Sequence, residues 1–583
     1  MPAPTASRPI ATRFEGTQPS IGGFPLSGQS HPVFALSSDF VDEVAALAPT
    51  WATYAGVAGV DHRWPDLSPA GHAATLGQYR AMVERLDSLP PPETKWDRLA
   101  FEAVGSFLAD KIDWYESNDH LRDLDSIASE AQTIVDIFEH MDKSTPEGWT
   151  NICIRLGSMK TVLNGYREAL AQGVAEGLTV AKRQVTAVAE QSRVAASDES
   201  PFASLPAELA ESAVDRADLI PRLAAAVTHA RAAQAEFGEW LLESYLPHAV
   251  AEDAVGRERY LRSARRFLGM AIDPEAAYAW GWTEVARLRA RMEEVSDEIS
   301  PGATILEALQ ILKTDPERAA ATREEFVSFM EERNAVALEQ LDGSHFDVPE
   351  AIREVDVKLA KAGGPLGAYY VGPSEDFSRA GAVWWSHGDH PGPFPLYDEV
   401  STLYHEGFPG HHLQVGTQLT SADNLSRFHR VFVWYPGLGE GWALYAELLM
   451  EKMGFLDKPD YVFGFLAAQM LRACRVVIDI GSHLELPIPE DQPFHPGEDW
   501  SFELGVEMLQ MYATLEKKYA ESEMTRYLGW PGQAIAYKVG EREILDIRAT
   551  LEARDGFDAK VFHARLLEIG PVGLEVVRDL LLG

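Results

Sequence analysis

From Ser38 to about residue 338 the apolar residues return at helical spacing, and this run decides most of what the chain can fold into. Phe101, Val104, Phe107 and Leu108, followed by Ile112 and Trp114, show the repeat: steps of three and four that gather one apolar stripe on a helix. Ser38-Asp39 can cap a short first helix that holds Phe40, Val44 and Leu47 and stops at Pro49. Amphipathic segments follow around 70–88, 94–118, 121–141, 146–171 and 176–194, then a loop from Ser197 to Pro206. Further helical stretches run over 207–247, 250–268, 274–296, 301–312 and 317–338. Acids and bases scatter over these segments without a catalytic constellation, so they predict a helical scaffold.

The texture changes near residue 345. Ile352 to Leu359, Ala368 to Val371 and Gly381 to Ser386 are short β-prone runs separated by Gly, Pro and Asp, and they predict a small sheet of about three strands. The helical pattern resumes at Leu396 and continues to Leu582. The expected fold is mainly α, with one small sheet. A Pro-, Ser-, Thr- and Gly-rich arm over 1–35 is expected to precede a single helical domain over 36–583. Within it, 36–340 would form the walls and 341–583 the sheet and the site helices.

Charge and cysteine content narrow the function. A formal net charge of −38 repels phosphate backbones, so a nucleic-acid partner is not expected. No apolar run approaches the roughly 20 residues that span a bilayer. The N-terminus lacks an apolar core flanked by basic residues, so neither a signal peptide nor a membrane partner is expected. Two cysteines, Cys153 and Cys474, exclude a disulfide framework and predict a cytoplasmic protein. A homodimer is compatible with all of this.

Chemistry concentrates in Tyr404-His405-Glu406-Gly407-Phe408-Pro409-Gly410-His411-His412-Leu413-Gln414. His-Glu-x-x places a metal ligand beside a general base on one helix, and a second histidine at i+4 normally completes the pair. Here that position holds Pro409. On an undistorted helix beginning near Pro395, His405 and His412 would share a face about 10 Å apart along the axis, too far for one ion. Pro409 cannot donate to the carbonyl of His405, so a two-residue bulge over Pro409-Gly410 would return His411 to the ligand position, with His412 as the fallback.

Some thirty residues on, Pro436-Gly437-Leu438-Gly439-Glu440-Gly441-Trp442-Ala443-Leu444-Tyr445-Ala446-Glu447 sets two carboxylates on one face of an apolar helix. Buried carboxylates need a partner or a metal. Two histidines and a distant glutamate form a common catalytic zinc set, so Glu440 is the expected third ligand, unless it merely suits a first turn. Glu447 would orient a ligand histidine or be an alternative ligand. The apolar helix from Tyr461 to Leu484 carries Arg472, Arg475, Asp479 and His483 in one stripe. This is either a salt-bridge ladder, or Asp479 and His483 behind the ligands with an arginine aimed at a substrate carboxylate. Last, Pro531 can start a helix that puts Gln533 and Tyr537 on one side, where the tyrosine hydroxyl would serve an oxyanion or the residue would simply be core.

Taken together, HEGFPGHHLQ, EGWALYAE, RACRVVIDIGSH and PGQAIAYKVG resemble a bacterial domain-of-unknown-function family with an H-E-x-x-P-G-H-H-L-Q signature. That resemblance implies a helical fold similar to the thermostable zinc carboxypeptidases of the His-Glu zinc peptidase clan, with a metal at the floor of a deep groove. Those enzymes keep the plain H-E-x-x-H, which this chain lacks. The expected function is a zinc-dependent peptidase of short peptides, carboxypeptidase-like, with one zinc held by His405, His411 and Glu440. Glu406 would be the general base, assisted by Tyr537, with His412 behind the ligands. Arg472, Arg475, Arg526 and Lys538 are the candidates for a terminal carboxylate, and Ala382 to Ser386 for an edge strand that aligns a peptide. The same chemistry would serve a non-peptide amide or ester, and a binding protein without the metal would share the fold.

Overall fold

The computed structural model describes residues 30–583, except 215–216, 361–366, 375–376, 378 and 388–389. Most of the expected N-terminal arm lies outside the described residues, but its last part is helix. The first helix is Pro32–Leu47, six residues earlier than Ser38-Asp39 suggests. Pro32 sits in the first turn, where its missing N–H is no loss, and His31 Nδ1 accepts from the N–H of Val33. Val33 and Phe34 are already core.

Where caps are present the helices fall as the spacing predicts: Pro69–Asp87 behind Ser68, Lys95–Glu116 behind a Thr94/Asp97 capping box, Pro146–Glu176 behind Thr145. The single helix expected over 121–141 is a short turn, Asp119–Arg122, and a helix, Glu130–His140. Between them Asp125 accepts from the N–H groups of Ile127 and Ala128, a local turn that outcompetes the helix. The stretch 207–247 likewise divides, into Leu205–Glu211 and Leu219–Trp240.

Among the described residues three apolar cores result. One joins the N-terminal helices through Phe40, Tyr79 and Phe107 to Phe428 and Phe432. A second fills the bundle of Trp149, Tyr166 and Phe237. The largest occupies the C-terminal half. Its axis is Pro459–Leu484, a helix of 26 residues that is long and apolar enough to cross a membrane by length and composition, which the reading of uninterrupted apolar runs did not anticipate. It packs along Pro274–Ile299, and 78% of its apolar window is buried inside the fold.

The sheets sit beside the motif. β1 (Ala319–Ala320) pairs antiparallel with β5 (Phe394–Pro395). β2 (Val355–Leu359), β3 (Ala368–Val371) and β4 (Gly381–Trp385) form the three-stranded sheet in the order β2-β4-β3. β4 is parallel to β2 and antiparallel to β3, so both its edges are paired. The expected edge strand over Ala382 to Ser386 is therefore the centre of the sheet and has no free ladder to offer a peptide.

Candidate metal centre

The expected bulge is a complete break. The motif helix is Glu399–Glu406, starting past Pro395, which belongs to β5. It ends at Gly407, and a second helix, His411–Thr420, starts after Gly410. Asn334 Oδ1 accepts the N–H of Phe408 at 3.1 Å, and the indole N–H of Trp442 reaches the carbonyls of Pro409 and Gly410 at 3.0 and 3.2 Å. Gly410 lies against the first helix so closely that a Cβ there would stand 1.9 Å from the carbonyl oxygen of His405. This turn puts His405 in the last turn of one helix and His411 in the first turn of the next. Their rings lie edge to face with centroids 5.0 Å apart.

The glutamate helix, Pro436–Lys452, supplies the third group. Glu440 Oε2 is 3.3 Å from His405 Nε2 and 3.6 Å from His411 Nε2. One ligand atom from each of His405, His411 and Glu440 falls within 4.8 Å of the other two. Two turns further along, Glu447 is 2% exposed. It accepts from His405 Nδ1 at 2.7 Å on one oxygen and from Ser401 Oγ at 2.6 Å on the other. His411 Nδ1 is 3.3 Å from Gln414 Oε1. With both Nδ1 atoms donating to oxygen acceptors, both Nε2 lone pairs point into the cluster.

Two lone pairs and a carboxylate oxygen facing one another need a positive charge between them. Among the described residues Glu440 Oε2 is buried with no hydrogen-bond partner. Burial alone would lower His405, but Glu440 and Glu447 outweigh it and hold the imidazole up at about 10. Burial would raise Glu440, yet contact with His405 and His411 takes it well below the usual carboxylate range. The set is two nitrogens and one oxygen, borne on three helices, the histidines buried and Glu440 partly so, and it fits a zinc ion in donor type and number.

Glu406 lies alongside, with Oε1 4.0 Å from His405 Nε2, and burial raises its carboxyl. Tyr537 is in the first turn of Ala536–Glu552, where burial and then Glu440 raise its hydroxyl. Pro531 starts no helix. The chain turns at Gly532, whose φ of +78° admits glycine most readily and whose N–H donates to Asp479 Oδ2.

Arg472 stands by Tyr537 with its guanidinium 5.9 Å from the ring centre. Its Nη1 meets only the Ala468 carbonyl, and its Nε is buried without a partner among the described residues. The other expected cations are committed. Arg475 and Arg526 share Glu523, at 2.7 and 2.9 Å, and Arg475 also donates to Tyr527. Lys538 is held by Glu541 at 2.5 Å, with Glu284 at 3.6 Å.

His412 is turned away from the cluster. Its Nε2 donates to the carbonyl of Ile352 at 2.7 Å, and its Nδ1, 3.0 Å from the Tyr370 hydroxyl, is left to accept, so neither nitrogen has a lone pair free. It pins the sheet to the second helix. Asp479 and His483 also look elsewhere: Asp479 accepts from Tyr260 and Gly532, and His483 Nε2 is 3.0 Å from the Tyr527 carbonyl. They join the core helix to its neighbours instead of backing the ligands. Ser401, Asn334 and Trp442, which the sequence reading did not single out, position the histidines. Of these only Trp442 carried a signal, as the indole between the two glutamates of its helix.

A cleft of about 390 Å³ opens where the N-terminal helices face the C-terminal half. The cluster residues do not line it. Trp434 does, and its ring packs on His411 at 6.2 Å and against Gly439.

Fold and site together define a class: mainly helical proteins with a two-histidine, one-glutamate cluster whose histidines are buried on either side of a helix break. The chain belongs to the family described as bacterial protein of unknown function (DUF885), whose model matches residues 49–581. No curated protein matches it. Among solved structures it is similar to one from Colwellia psychrerythraea, described as a "putative lipoprotein". The TM-score is 0.82 at 20% identity, over 94% of this chain and 98% of that one. One from Shewanella oneidensis, described as a "putative lipoprotein of unknown function", gives 0.71 at 18% identity, over 94% of this chain and 100% of that one. These likenesses establish the fold.

Proposed function

We propose that this protein is a zinc-dependent peptidase of short peptides, acting in the manner of a carboxypeptidase. The observation that carries the reading is the convergence of His405 Nε2, His411 Nε2 and Glu440 Oε2, with Glu447 behind His405 and Glu406 alongside. His405, His411 and Glu440 would hold the ion. When bound there, zinc supplies Lewis acidity and makes water a nucleophile near neutral pH. Glu406 would take a proton from the attacking water and return it to the leaving amine, and burial raises its carboxyl in the direction a general base needs. Tyr537 can donate its hydroxyl proton to a developing oxyanion, since burial and Glu440 keep it protonated. Among the described residues Arg472 has no carboxylate partner within ion-pair distance, and its guanidinium suits a terminal carboxylate.

The test is metal analysis of protein purified without chelators, together with hydrolysis of a dipeptide and tripeptide panel by wild type and Glu406→Gln. The expected result is one zinc per chain in both proteins, and a fall of about 10²–10⁴ in kcat in the variant. Unchanged turnover in Glu406→Gln removes the mechanism. Absence of zinc removes the class.

A further inference from the structure

The cleft beneath Trp434 carries charges that the proposed chemistry does not use. Most are already settled. Asp119 takes Arg122 at 2.8 Å and Arg266 at 3.2 Å; Asp125 caps its own turn; Asp110 accepts from the Tyr435 hydroxyl at 3.0 Å. Three lining groups are left over: Lys111, Asp123 and Glu130. The Lys111 ammonium lies over Trp51 at 4.5 Å and Phe107 at 5.7 Å. Among the described residues none of the three has an ion-pair partner within 4.0 Å, and Glu130 Oε2 is buried with no hydrogen bond. One ammonium therefore faces two carboxyl groups at a distance, and neither carboxyl has a close cation among the described residues.

We infer that this cleft is a ligand subsite in which Asp123 and Glu130 receive an ammonium group, while the surrounding aromatic wall takes an apolar side chain. Trp51, Trp114, Trp434 and Trp530 give that wall flat apolar area, and a volume of about 390 Å³ is enough for a dipeptide-sized occupant. Burial lifts Glu130 to about 7 and takes Asp123 well above its usual range, with Glu130 adding to the latter; an incoming cation relieves both. Reading the ligand as a peptide rests on the proposed function, because Trp434 connects this cleft to His411. The ammonium preference stands on the cleft alone. Its source is either the α-amino terminus of the peptide or a basic side chain.

The four indoles make the test optical. The full chain is titrated by tryptophan fluorescence with L-phenylalaninamide, with its N-acetyl derivative and with N-acetyl-L-lysinamide, and the titrations are repeated on Glu130→Gln and Asp123→Asn. We expect L-phenylalaninamide to bind at least tenfold more tightly than the acetylated form. In each variant that preference should fall below threefold, while the thermal midpoint stays within a few degrees of wild type. Tighter binding of N-acetyl-L-lysinamide than of L-phenylalaninamide would assign the site to a basic side chain, the reverse order to the α-amino end. Equal binding of the free and acetylated amides, no binding by wild type, or a preference that survives in both variants overturns the inference. Because the titration needs no turnover, amine-selective binding in a protein that cleaves no peptide would count against the peptidase alone.

Discussion

Removing the carboxylate behind His405 tests the site most directly. Glu447 accepts from His405 Nδ1 at 2.7 Å and from Ser401 Oγ at 2.6 Å, with His405 5% and Ser401 1% exposed. Glu447→Ala leaves two buried donors unpaired and frees the imidazole to rotate or change tautomer. Partners of this kind are worth about 10–100-fold in metal affinity, or about 1.4–2.7 kcal/mol. Glu447→Gln keeps an acceptor for Nδ1 and turns its amide toward Ser401, so it loses only the negative charge, and we expect about tenfold or less. A competition titration of zinc against a chromogenic chelator, at fixed pH, reads both. If Glu447→Ala binds zinc as wild type does, His405 is not held as a ligand. If Gln costs as much as Ala, charge matters and orientation does not.

Other outcomes follow from the same geometry. Gly410→Ala puts a Cβ 1.9 Å from the His405 carbonyl oxygen and 2.5 Å from that of Tyr404, so chemical denaturation should show a loss of about 3 kcal/mol or more, together with loss of zinc. His411→Ala should abolish zinc retention, whereas His412→Ala should keep it and cost about 1–3 kcal/mol of stability, because its nitrogens serve Ile352 and Tyr370; zinc lost in His412→Ala alone would reverse the assignment. Burial pushes Asp479 up to about 7, so between about pH 4 and 7 the folded protein holds a proton that the unfolded chain releases, and the contribution of this carboxyl to stability falls as pH rises through that window. Asp479→Asn keeps an acceptor for Tyr260 and Gly532. Its stability relative to wild type should climb by up to about 4 kcal/mol between pH 4 and 8 in urea titrations, and a constant difference would contradict the shift.

The helices and the small sheet were legible because burial imposes periods of 3.6 and 2, and because capping residues such as Thr94 and Thr145 sit where the periods begin. The cluster was legible because few uses exist for His-Glu beside a second histidine and a later buried glutamate. What escaped depends on contacts between distant segments. The acceptor for the Phe408 N–H is Asn334, far upstream, and the break after Glu406 reads as a bulge until that partner is known. His412 looks like a ligand until Ile352 and Tyr370 are seen to occupy both its nitrogens. The place of β4 between its neighbours follows from pairing, which the alternation within one strand does not encode.

The helix break changes what a metal would do to the molecule as a whole. In an unbroken H-E-x-x-H helix both histidines ride on one rigid rod, and the ion adds little to its cohesion. Here His405, His411 and Glu440 belong to three separate rods, so an ion held by all three would act as a cross-link that closes the intervening loops. Binding energy would then appear as folding energy, growing with the free metal concentration, and chelation would loosen the junction at 407–410 before the outer helices. The site would serve as a clasp as well as a reaction centre.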